Sequence, residues 1–241
     1  MIWDNFRATL GAALELFKKD PLNFVLIFAI PVIAGGLLSQ ILLPMVLGGL
    51  MFGPAGALIS LVIFIFCTIV LEIVAYLALV KAVIEKSKGN KIDLMQIFTL
   101  ASKQVVPAIT LGVKAFLTIF HGISKFINSW FALIYFMESD TPVVDTALKA
   151  SQDNCQGKTI TLVWNVIIMA IASSIAINII TGVWVSLTSV ASYQIASLGT
   201  YLASGVISSF TVLFHYVLKG QLEKIQGASH AAAPTSGAPT N

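Results

Sequence analysis

Apolar residues in this chain gather into long blocks, and the segments between the blocks hold almost all of its charge. Residues 22–43 form the first block, and Pro31 within it is compatible with a helix surrounded by lipid, where neighbouring groups satisfy the freed backbone. An uncharged link rich in glycine and proline (Pro44, Gly48, Gly49, Gly53, Pro54, Gly56) leads to a second block, 57–80, whose one charged residue is Glu72. Residues 81–104 are polar and carry Lys81, Lys86, Lys88, Lys91 and Lys103. Two shorter blocks, 105–120 and 123–137, are separated by His121 and Gly122. A polar stretch, 138–158, precedes the last two, 160–187 and 195–218.

A full helical crossing takes about 20 residues. The third and fourth blocks fall short of that, so they read as two tilted helices, as a hairpin that does not fully cross, or as one kinked helix. Two short crossings fit the pattern best, which gives six. The expected architecture is all-α: a polytopic membrane bundle of six transmembrane helices and three interfacial amphipathic helices, one domain over 1–226. The tail 227–241 is small and polar, a composition that predicts disorder.

The three amphipathic segments each precede a pair of blocks. Over 2–19, Trp3, Phe6, Leu10, Leu14 and Phe17 recur at helical spacing among Arg7, Glu15 and Lys18, the pattern of a helix lying in the headgroup plane. The acids Asp4, Glu15 and Asp20 argue against a signal peptide. Ile92, Met95, Phe98 and Ala101 form a second stripe. Thr141 and Pro142 stand in N-cap and first-turn order before a third, with Val144, Ala147, Leu148, Ser151 and Cys155 on one face.

Composition agrees with lipid as the surrounding medium. Over 241 residues the charged fraction is 10%, where a soluble domain carries about 25%, and AVILMFWYC residues make up 57%. Mean hydropathy is +0.92. Of the 14 basic residues, all but Lys114 and Lys125 fall on one side of a six-crossing layout. That is the asymmetry of the positive-inside rule, with both termini cytoplasmic. A net charge of +3, dispersed along the chain, does not mark a nucleic-acid binder. Cys67 and Cys155 cannot build a disulfide scaffold or a zinc cluster.

Candidate chemistry is sparse. Glu72 and Lys114 each stand about nine residues into a block from the same side, so at ~1.5 Å per residue they would share a depth near the midplane. A lone charge there costs about 2.5–3.5 kcal/mol even on the lenient insertion scale. The two are therefore expected to pair, either to fix helix register or to couple a proton or ion; a snorkelling Lys114 is the alternative. Asn128, Asn165 and Asn178 are candidate intramembrane polar groups, for helix–helix hydrogen bonds or for a permeation path. His121 and His215 fall near opposite surfaces, so no metal triad forms. The chain has no phosphate-binding glycine–lysine loop, no G-x-S-x-G and no H-E-x-x-H, which leaves catalysis and cofactors without support.

One region is family-like. The block ending at Phe136-Met137-Glu138 is followed by Ala147-Leu148-Lys149, Ser151 and Gly157. This resembles the YciC-like group of six-span bacterial inner-membrane proteins and the related membrane domain attached to some glycerophosphodiester phosphodiesterases. The Phe17-Lys18-Lys19-Asp20-Pro21 entry to the first block is similar too. Between Ser151 and Gly157 the family's apolar positions are occupied here by Asp153, Asn154 and Cys155. The resemblance implies a bacterial inner membrane but no settled activity. The function expected is a non-catalytic accessory, scaffold or assembly component that meets lipid and other membrane proteins, or further copies of itself. The alternative is a transporter or channel with a Glu72/Lys114 site.

Overall fold

The computed structural model describes residues 2–49, 53–187 and 193–231, with side chains described within 4–35, 53–187 and 202–225. Every described element is a helix. They are α1 (Ile2–Lys18), α2 (Pro21–Gly49), α3 (Pro54–Ser87), α4 (Leu94–Lys103), α5 (Val105–Leu117), a 3-10 turn (Thr118–His121), α6 (Ile123–Asn128), α7 (Ala132–Glu138), α8 (Val144–Cys155), α9 (Thr159–Leu187) and α10 (Tyr193–Ala231).

Two long hairpins organise the chain. In the first, α2 and α3 pack along each other and are joined through residues 50–53. Gly53, at φ +88°, turns the chain and Pro54 opens α3 with its fixed φ at the first helical position. The start of α2 is tied to the end of α3 by Lys86 Nζ, 2.9 Å from Asp20 Oδ2. In the second, Ser173 and Thr211 share a hydrogen bond of 3.2 Å between α9 and α10. Lys158, beside the start of α9, donates to the Leu222 carbonyl near the end of α10 at 2.6 Å. Gly205 lets α10 approach α2, since a Cβ there would lie 2.9 Å from Phe28 Cδ1.

Both hairpins begin and end at one tightly packed end. There α1 lies on α10, with the Phe6 and Phe214 rings 5.4 Å apart and Thr9 Oγ1 donating to Gln221 Oε1 at 2.5 Å. Leu77, Ala78, Leu79, Val83 and Ile84 of α3, Phe131 and Phe136, and Leu213, Leu218 and Leu222 of α10 fill this core almost without exposure. The far end is its opposite. The N-terminal half of α3 leaves Leu58, Ile59, Val62 and Phe66 exposed, and the last turns of α9 expose Ile175, Ile179, Val183 and Leu187. The most apolar 18 residues of α3 are 0% buried, and those of α9 are 6% buried. Apolar surface on that scale needs a non-aqueous cover.

Three helices among the described residues are long and apolar enough to cross a membrane: Ala55–Ser87, Thr159–Leu187 and Leu202–Ile225. α2 is 29 residues long, but its second half lies outside the residues whose side chains are described. The described helices thus supply three such spans, or four with a bent pair, where the hydropathy blocks predict six. Over the third block α4 and α5 meet at a bend of 55° and together would count as one broken span, and the fourth block divides into α6 and α7, of 6 and 7 residues. At ~1.5 Å per residue each is roughly a third of the ~30 Å of hydrocarbon. Gly122, at φ +125°, makes one break. Ser151 of α8 holds the other, where its Oγ donates to the Asn128 carbonyl (2.7 Å) and accepts from the Phe131 N–H (3.1 Å).

The amphipathic segments are helices, with adjustments. α1 buries Phe6, Thr9, Ala13 and Leu16, while Leu14 is exposed. α4 buries Ile97 and Ala101 and turns Met95 outward, 80% exposed. The Asp93 carboxylate caps α4 by accepting from the Gln96 N–H. α8 buries Ala147, Ser151 and Cys155 as the spacing predicts, but it starts at Val144 with Val143 as N-cap, not at Thr141-Pro142. The tail expected to be disordered from 227 is helical to Ala231; 232–241 lies outside the described residues.

Candidate functional site

Between the two hairpins, α3 and α10 flank a half-open cavity of about 1010 Å³, whose lining is completed by α2, α5, α7 and α9. Helical spacing builds its walls. Ser204, Ser208, Thr211 and His215 follow one another at four, three and four residues along α10, so one face of that helix looks into the hollow. Thr68, Glu72 and Tyr76 do the same on α3 at intervals of four. Phe28, Pro31, Ile69, Ile73, Ile109, Leu133 and Ile177 make the rest of the surface mostly apolar.

Two polar groups on this wall lack partners. Glu72 makes no ion pair or hydrogen bond with a described residue, and it stands near the middle of α3, about 22 Å from the end at Ser87. His215 is 9% exposed, and its Nε2 has no hydrogen-bond partner. Its ring edge meets Trp130 at 5.7 Å and Phe214 at 6.0 Å. The His215 ring therefore lines the cavity while its Nε2 is turned into the packed interior, and Glu72 is the charged group on this wall.

The expected pairing of Glu72 with Lys114 is not what forms. Lys114 Nζ lies 2.7 Å from Asp145 Oδ1 in the first turn of α8, and both side chains are largely exposed. A midplane pair would need α5 to cross as a straight span. The bend at Gln104 instead brings the end of α5 against α8, whose Asp145, Lys149 and Asp153 are all exposed.

The three asparagines do not share a cavity. Asn128 sits where α6 ends and accepts from Thr159 Oγ1 through its Oδ1 at 2.8 Å. Asn165, fully buried on α9, donates to the Thr161 carbonyl at 2.8 Å and leaves its Oδ1 without a partner. Asn178 is exposed and donates to the Ser174 carbonyl at 2.8 Å. Each of the latter bonds ties the amide N–H to a carbonyl of its own helix.

In the family-like motif, Ala147 and Ser151 are buried, Leu148 is partly buried, Lys149 is exposed, and Gly157 ends α8 at φ +76°. Of these, Ser151 makes the hydrogen bonds across the α6–α7 break. One turn beyond Ser151, burial pushes the Cys155 thiol up to about 12.

Sequence reasoning missed a second polar constellation, at the packed end. Lys219 is 5% exposed and ion-pairs with Glu138, reaches Glu223 at 3.4 Å, and lies 4.2 Å from the centroid of the Tyr135 ring. Tyr135 donates to Glu223 at 2.6 Å. Burial, and then the Glu223 carboxylate, push the Tyr135 phenol up. Burial lowers Lys158, whose ammonium donates to the Leu222 and Asn154 carbonyls. These groups satisfy one another and knit α7, α9 and α10 together. Among the described residues no cluster of three His, Cys, Asp or Glu could hold a metal ion.

No family model matches the chain, and neither a curated protein nor a solved structure matches it.

Proposed function

We propose that the chain is a non-catalytic integral-membrane component, an accessory, scaffold or assembly subunit whose uncovered helices meet lipid and the helices of other membrane proteins. The observation that carries this reading is the contrast between its two ends. A fully packed end gathers the termini of both hairpins, whereas α3 and α9 present apolar stretches that the chain itself leaves 0% and 6% buried. Where lipid tails are as apolar as the helices, association rests on packing and on small or polar residues at close approach. α9 offers Ser174, Asn178 and Gly182 on one exposed, helically spaced face.

In this reading α2, α3, α9 and α10 cross, and the segment from α5 to α7 enters from the packed side and returns to it. Four crossings keep the parity that six would have, so the lysines still gather on one face. That face is cytoplasmic by the positive-inside rule, in a bacterial inner membrane. The resemblance to YciC-like proteins supports the location and is silent on activity.

Mild extraction followed by native electrophoresis tests the assembly role. A species much heavier than the 25.8 kDa chain with its bound detergent is expected. Cysteines at Ile179 or Val183 should also cross-link it to a neighbouring protein. A solitary monomer that conducts a small solute across liposomes would be the opposite result.

A further inference from the structure

We propose that the cavity between α3 and α10 binds an amphiphile with a cationic ammonium head and an apolar tail, with the head at Glu72. The volume, about 1010 Å³, lies at the upper end of the ~300–1,000 Å³ in which proteins hold small ligands, and an apolar wall with a few convergent polar groups is the usual make-up of such sites. A tail fits that wall. The head is specified by charge. Glu72 faces the hollow near the middle of a 34-residue apolar helix, where an uncompensated charge is expensive. The nearby lysines are already engaged, Lys114 with Asp145 and Lys81 with Glu85 at 2.9 Å. The counter-charge that Glu72 lacks is therefore supplied from outside the chain.

His215 narrows the choice. Its ring shares the wall with Glu72, but its unpartnered Nε2 is itself buried, so at most one imidazole stands beside the carboxylate. One carboxylate and one imidazole in a large apolar hollow do not make the six to eight oxygen ligands of Ca²⁺, nor the three or four ligands of a zinc site. An anionic head would be repelled by Glu72, and a neutral one would leave it uncompensated. An organic ammonium satisfies the carboxylate and buries its tail at once. This site does not depend on the assembly role proposed above.

The test uses the purified chain in a neutral maltoside detergent at pH 7, with dodecylamine as the probe and dodecanol as the comparison of equal length. Dodecylamine is expected to raise Tm at concentrations at least tenfold below those dodecanol needs. Glu72→Gln should remove that preference. Gly112→Phe places a ring in the hollow from a position where an added Cβ meets nothing within 4 Å, so it should weaken both probes. Equal action of the two probes on the unaltered protein, or a preference that survives in Glu72→Gln, overturns the proposal. Should Glu72→Gln fail to fold, a photoreactive dodecylamine decides the matter on the unaltered chain. Cross-links in the Thr68–Tyr76 and Ser204–His215 peptides support the site, and cross-links confined to other peptides refute it.

Discussion

Ser151 gives the sharpest test of how the chain interrupts its fourth apolar block. Its side chain is fully buried, and its one hydroxyl serves two backbone groups across the α6–α7 break, the Asn128 carbonyl at 2.7 Å and the Phe131 N–H at 3.1 Å. Ser151→Ala removes both bonds while leaving the shape nearly intact. A buried backbone group stripped of its partner costs about 1–3 kcal/mol, so the pair of losses amounts to about 2–4 kcal/mol after partial relaxation. Cys155, one turn further along α8 and 0% exposed, is a built-in reporter once Cys67 is replaced by serine. A thiol reagent reaches it only when α8 lifts from the break. At about 1.4 kcal/mol per factor of ten, local destabilisation of that size raises the labelling rate roughly 30- to 700-fold. Lys149→Ala, on the exposed side of the same helix, should leave the rate within about threefold of the parent. A Ser151→Ala rate within that same range would refute the clamp.

Three further outcomes follow from the ion pairs. Lys219→Met leaves Glu138 half-buried without its counter-ion and should destabilise by about 3–5 kcal/mol, read as Tm in detergent, with much of the loss restored by adding Glu138→Gln. No recovery in the double variant would show that the pair does not act as a unit. Glu72→Gln and Lys114→Gln should be additive in stability, because Lys114 pairs with Asp145 in an exposed contact worth only about 0.2–1 kcal/mol. A coupling above about 1 kcal/mol between positions 72 and 114 would restore the midplane pair. Burial pushes the Asp20 carboxyl up, but hydrogen bonds from Lys86 and Asn23 outweigh it and hold the group below its ordinary 3.8. Its contribution is therefore fully present above that pH and is lost as pH falls through the lower folded-state value. Asp20→Asn should flatten the Tm profile on the acid side of pH 4, and an unchanged profile would contradict the pairing.

What the sequence disclosed and what it concealed divide along a physical line. Helix α9 was expected over 160–187 and runs Thr159–Leu187, because a uniformly apolar helix with little protein around it is set by composition alone. The breaks within the third and fourth blocks are not legible in hydropathy, because their form is decided from elsewhere. A serine 20 residues downstream of Phe131 holds open a break inside 123–137, a run that hydropathy treats as continuous. The stripes on α1 and α4 were displaced because aromatic and aliphatic residues surround more than one face. Only packing against α10 and α3 selects Thr9 and Ala13 over Leu14, and Ile97 over Met95. Glu72 was noticed for its charge, but its cavity was not. The signal lay in the Ser204, Ser208, Thr211, His215 spacing, a small-polar face on a helix otherwise read only for hydropathy. The Lys219 constellation joins residues 135, 138, 219 and 223, whose adjacency depends on α7 folding back beside α10.

Where the segment after α5 emerges decides between a returning hairpin and a further crossing. With Cys67 and Cys155 replaced by serine, single cysteines at Lys88, Lys125 and Leu187 can be labelled by a membrane-impermeant maleimide from each side of sealed vesicles. Lys125 is predicted to label from the same side as Lys88, and Leu187 from the opposite side. Labelling of Lys125 together with Leu187 would mean that the chain crosses there after all, and the returning hairpin would be wrong.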